Sequence, residues 1–131
     1  MKLTFIVIIL MLSICILFAC ASPAGDYENF LLDMDVITRF DICFSKISDN
    51  DTSSYTKAEL NALIQDLASW KSDYQIATEA NDLFSQAARC LIDSIEYMKI
   101  DDWEQSEISY NLANDFYQNA QAEITKAHTG G

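Results

Sequence analysis

The chain has 131 residues, with 20 acidic residues against 8 basic ones and a formal net charge of −12. That length leaves room for one domain. A body this acidic offers no basic patch to hold nucleic acid, and it is repelled by anionic lipid head groups.

The N-terminus reads as an export signal. Met1-Lys2 supplies a positive charge, residues 3–18 are apolar apart from Thr4 and Ser13, and a run of small residues and breakers follows through Gly25. A charged start, an apolar stretch of about 15 residues and a small-residue exit form the secretory pattern, and a permanent span would need about 20 apolar residues. We therefore expect a signal peptide over residues 1–19 and a linker or anchor over 20–25. Leu17-Phe18-Ala19-Cys20 resembles the lipobox of prokaryotic lipoproteins. That resemblance implies cleavage before Cys20, lipidation of Cys20 and anchoring at the outer face of the cell-envelope membrane. Ala19-Cys20-Ala21 also fits ordinary signal cleavage, which would release a secreted protein. Removing Lys2 with the signal leaves 7 basic against 20 acidic residues, a net of −13.

The body, residues 26–128, contains no proline and no glycine, so it is expected to be all-α, with residues 129–131 as a tail. A first helix is expected over 26–47, where Phe30, Met34, Ile37, Phe40, Phe44 and Ile47 recur at three- and four-residue steps. Turn formers fill 48–54, and Thr56 with Glu59 fits a capping box opening the next helix. An apolar stripe then runs from Leu60 through Leu67, Trp70, Asn81, Phe84 and Leu91 to Met98 without a phase break. Asp102 is placed to cap a last helix over 103–126, with Leu112, Ala113, Phe116, Ala120 and Ile124 inward.

The central stretch admits two architectures, and the cysteines separate them. With Cys15 in the signal and Cys20 lipidated or removed, Cys43 and Cys90 remain as an even pair in a compartment that permits disulfides. A bridge across the 47 intervening positions (90 − 43) would contribute about 3–4 kcal/mol on the chain-entropy estimate. One long central helix folding back on the first would hold the two cysteines about 40 Å apart. A turn between Ala68 and Ala77 would bring both to one end. We therefore expect an antiparallel up-and-down four-helix bundle, with three helices and a long central one as the alternative. At an offset of 33 residues Trp70 aligns with Trp103, and Ala80-Asn81-Asp82 with Ala113-Asn114-Asp115. The spacing of Ala80, Phe84 and Ala87, repeated at Ala113, Tyr117 and Ala120, loosely resembles the second helix of a tetratricopeptide repeat.

No catalytic constellation is legible. The single histidine, His128, lies in the tail, which removes triads, Cys-His sites and Glu-x-x-His di-iron pairs, so we expect a protein that is not an enzyme and carries no cofactor or dedicated metal site. Asp49, Asp51, Ser53 and Tyr55 alternate, with Glu59 following, in a loop that resembles an EF-hand, although Ser54 stands where that loop has glycine and Leu60 where it has its bidentate glutamate. Asn50-Asp51-Thr52 is a glycosylation sequon. Trp70, Trp103, Tyr97, Tyr110 and Tyr117 are candidates for an aromatic groove between helices. The function expected is a membrane-anchored, non-catalytic module binding another protein, with a ligand- or cation-binding role as the alternative.

Overall fold

The structure is a computed structural model and describes residues 22–129. The signal segment 1–19 and the lipobox residues Leu17, Phe18, Ala19 and Cys20 lie outside the described residues. The all-α expectation holds, with five helices among the described residues: α1 (Pro23–Asp33), α2 (Val36–Ser48), α3 (Ser54–Ala68), α4 (Gln75–Lys99) and α5 (Trp103–Thr129).

The expected first helix is two helices. α1 begins at Pro23, earlier than the spacing suggested, because Ser22 accepts the Gly25 amide at 3.0 Å and proline suits the first helical turn. It ends at Met34, and Asp35 takes a left-handed conformation at φ 54°. A non-glycine residue there costs about 1 kcal/mol, and neither glycine nor proline marks the break in the sequence. Arg39 offsets that cost, donating from Nη1 to the Met34 carbonyl at 3.1 Å. Its guanidinium also binds Glu59 at 2.6 Å and Asp66 at 2.7 Å, tying the break to α3.

The single long central helix is excluded. The chain leaves α3 at Ala68, turns through Ser72, whose Oγ accepts the Tyr74 amide at 3.0 Å, and resumes at Gln75. The apolar stripe continues through the turn because Trp70 and Tyr74 still pack against the core. Two helices end in paired 6→1 and 5→2 hydrogen bonds around a left-handed residue, Asn50 after α2 and Asp101 after α4. These side chains stand where glycine usually closes a helix, which lets a chain poor in glycine turn sharply. Asp102 then caps α5 as expected, accepting the Gln105 amide at 3.2 Å.

Consecutive helices from α2 onward meet end to start. Arg39 near the start of α2 reaches Asp66 near the end of α3. Lys57 at the start of α3 pairs with Glu96 near the end of α4 at 3.0 Å. Phe40 and Phe44 of α2 meet Tyr117 and Tyr110 of α5, in reverse order. The core centres on Phe40, Phe44, Phe84 and Tyr117, with Phe40 and Tyr117 each 5.0–6.2 Å, centroid to centroid, from the other rings of the set. Burying each such ring is worth about 1.5–3 kcal/mol, and each offset aromatic pair adds about 0.5–1.5 kcal/mol.

The α4–α5 hairpin is built on small residues. Ala80, Ala87 and Ser94 recur every seventh position on α4, as do Ser106, Ala113 and Ala120 on α5, and all six are buried. Without longer side chains between them the backbones approach closely enough for Ser94 Oγ to reach the Ser106 carbonyl, and Ser106 Oγ the Ser94 carbonyl, each at 2.9 Å. The alanines that suggested a tetratricopeptide-like repeat therefore face one another within a single hairpin. The repeat breaks down at its tryptophans: Trp70 packs in a turn, while Trp103 opens α5 and is 51% exposed. Leu112, expected inside, is exposed, because the inward face of α5 follows the small-residue heptad.

Candidate functional site

The hairpin that packs so tightly along its length leaves a gap where α2 falls short of it. Phe44 faces Tyr110, so about four residues of α2 remain beyond that contact against about seven of α5, or ~6 Å against ~10 Å. The overhang opens a cleft of about 320 Å³ lined by Ile47, Ser48, Asn50, Ser94, Met98, Trp103, Ser106, Glu107 and Tyr110. Its floor is apolar, since Ile47, Met98 and Tyr110 are buried, and burial pushes the Tyr110 hydroxyl above its ordinary pKa. One wall is neutral and already satisfied, because Ser94 and Ser106 bond each other and each other's carbonyls. Glu107 is the charged residue of the lining. The cleft lies at the end of the body opposite Ser22: the chain enters beside Ala77 and Ile124, about 25 Å along α4 from Ser94.

Of the five aromatics expected to form a groove, Trp103 and Tyr110 line the cleft. Trp70 sits at the opposite end, with its centroid 5.0 Å from Tyr27 and 5.1 Å from Phe30. Tyr117 is core, and Tyr97 is half-buried outside the cleft lining.

The acidic loop works as a cap. Asp51 accepts the Ser53 amide at 2.8 Å and the Thr56 hydroxyl at 3.2 Å, with Lys46 Nζ at 3.9 Å. These contacts, the Ser53 amide foremost, hold its carboxyl below the usual aspartate range. Thr56 is therefore a buried residue inside the first turn of α3 and not the outer member of a capping box, and Glu59 turns instead to Arg39. The structure does not gather the loop acids for a cation: Asp49 closes α2 and is exposed, Asp51 and Ser53 are bonded to each other, and the Glu59 carboxylate is held by the guanidinium. Among the described residues no three His, Cys, Asp or Glu side chains are grouped to hold a metal. Asn50, the sequon residue, is exposed in its left-handed turn at the rim of the cleft.

Cys43 and Cys90, expected to pair, are both free thiols. Cys43 is buried among Glu59, Arg39 and Lys46, and burial pushes its thiol up to about 12. Cys90 is half-buried beside Asp93, and burial followed by that carboxylate raises its pKa also. The turn that the bridge was used to infer is present without it.

The cleft escaped the sequence because it depends on relative helix lengths. Its signals were present in pieces: a tryptophan directly after the Asp102 cap, and serines completing two alanine heptads. Among the described residues no helix is long and apolar enough to cross a membrane. No family model matches the chain, and neither curated proteins nor solved structures include a match to it.

Proposed function

We propose that this chain is an exported lipoprotein, anchored through Cys20 at the outer face of the membrane, that acts as a non-catalytic protein-interaction module. In this reading α2–α5 form an up-and-down four-helix bundle with α1 laid across its base. The observation that carries the reading is the position of the cleft. It opens at the pole farthest from the entering chain, so a partner could reach it while the N-terminus is tethered. Ile100 and Trp103, 70% and 51% exposed, stand at the same pole, and exposed large apolar side chains beside a cavity are typical of binding surfaces. The acidic body keeps itself off an anionic lipid surface, which leaves the anchor as the membrane attachment.

Intact mass of the protein from its native membrane fraction tests the anchor: a chain starting at Cys20 with added acyl mass is expected, and one starting at Ser22 without lipid refutes it. Site-specific photo-crosslinkers test the pole. Probes at Trp103 and Asn50 are expected to form adducts in native membranes, whereas one at Thr78, near the base, is not. Absence of adducts at the pole, or equal adducts at Thr78, refutes the assignment.

A further inference from the structure

The cleft joins an exposed indole, a carboxylate and an acidic surround. Trp103 presents half its surface to water at the first turn of α5, and Glu107 lies one helical turn further on, both lining the same cavity. The segments beside them add Asp49, Asp101, Asp102 and Glu104, three of them in the short turn and first helical residues between α4 and Gln105. The nearby cations are engaged: Lys46 lies 3.9 Å from Asp51 and 6.0 Å from the Tyr55 ring centroid, while Lys57 and Lys99 share Glu96 at 3.0 and 3.3 Å. The rest of the lining carries no charge, and its two buried serines, Ser94 and Ser106, have spent their hydroxyls on each other and each other's carbonyls.

That combination selects a cation with a flat, weakly hydrated face. A guanidinium stacks on an indole and binds a carboxylate through its fork of donors, and both contacts strengthen in a negative field. Resting on the interaction-module reading, we infer that the cleft takes an arginine side chain from a basic segment of the partner protein, held between Trp103 and Glu107. A second copy of this chain is disfavoured by a net charge of −13 on each molecule once Lys2 leaves with the signal (7 basic against 20 acidic residues), and an anionic head group by the same field. A bare divalent cation would find one carboxylate in the cleft lining, too few for a hard-ion site.

The test is calorimetric titration of the full chain in micelles of a non-ionic maltoside detergent. The probe is the capped tetrapeptide Ala-Arg-Arg-Ala, against the same peptide with citrulline, which keeps the shape and removes the charge. Saturable one-to-one binding of the arginine peptide is expected, with none for the citrulline peptide. Glu107→Gln and Trp103→Ala should each weaken it by about ten-fold, and Asp115→Asn, exposed elsewhere on α5, should leave it unchanged. Far-UV circular dichroism checks each variant, and Glu107→Gln, nearly isosteric at an exposed position, carries the result if Trp103→Ala fails to fold. Equal binding of the citrulline peptide, indifference to Glu107→Gln, or equal weakening by Asp115→Asn would each overturn the inference. So would heat from calcium chloride alone that Glu107→Gln removes. No heat from the arginine peptide, with adducts still forming at Trp103 in membranes, overturns the arginine assignment and leaves the partner reading standing; loss of the adducts overturns that reading itself.

Discussion

Replacing Asn81 by alanine should destabilise this protein more than its modest size suggests, because one amide joins three helices. Asn81 lies in α4 with 8% of its surface exposed. Its Oδ1 accepts the Tyr27 hydroxyl of α1 at 3.1 Å, and its Nδ2 donates to the Leu67 carbonyl at the end of α3 at 2.7 Å. Asn81→Ala leaves the buried Tyr27 hydroxyl without this partner, costing about 1–3 kcal/mol, while the Leu67 carbonyl keeps the Trp70 amide at 3.2 Å and loses one bond worth about 0.5–1.5 kcal/mol, so the expected loss is about 1.5–4.5 kcal/mol. Tyr27→Phe keeps the ring, whose centroid is 5.0 Å from Trp70, and removes one bond, costing about 1–2 kcal/mol. The double variant should lose less than the sum, with a coupling of about 1–2 kcal/mol, since neither partner is then left facing the other's vacancy. Urea unfolding followed by circular dichroism at pH 7 under reducing conditions measures all four corners. A loss below about 1 kcal/mol for Asn81→Ala, or additivity within about 0.5 kcal/mol, would refute the idea that this amide staples α1 to the rest.

Alkaline pH should weaken the fold. Burial raises the hydroxyls of Tyr27, Tyr117 and Tyr110 above the ordinary value, and that of the Cys43 thiol to about 12. Each group stays protonated in the folded state while the unfolded chain releases its proton, so the stability it contributes is complete below the unfolded pKa, about 9 for the thiol and 10 for tyrosine, and falls as pH rises beyond it. Tyr27→Phe should flatten the decline above pH 10 by about 1.4 kcal/mol per pH unit, and an unchanged slope would count against the burial of that hydroxyl. In the α4–α5 seam, Ala87→Leu should overpack a position with no exposed surface and cost about 2–3 kcal/mol, whereas Leu112→Ala, 45% exposed, should stay within about 0.5 kcal/mol. Comparable losses in thermal melts would mean the seam is not tightly packed. Maleimide labelling of the reduced, folded chain should modify half-buried Cys90 before buried Cys43, with both reacting in denaturant. Equal rates in the folded chain would contradict the burial of Cys43.

Local signals alone specify a helical chain and the positions of most of its helices. The absence of breakers after Gly25, the three- and four-residue spacing of Phe40, Phe44 and Ile47, and the Asp102 cap are local signals that tertiary contacts did not override. Asn81 counts in the sequence as one more position of the apolar stripe, and its bonds to Tyr27 and the Leu67 carbonyl belong to the fold alone. Tertiary structure decided what local signals leave degenerate. The break at Asp35 carries no glycine or proline and is held by Arg39, a residue of the following helix bonded to a third. The seven-residue recurrence of Ala80, Ala87 and Ser94 fits a repeat or a seam equally well until the matching face of α5 is laid against it. Glu59 fits both a cap and an ion pair, and the guanidinium opposite settles which. The cleft is the clearest case, for it is made by α2 ending before the hairpin does, a difference between helices that no single helix encodes.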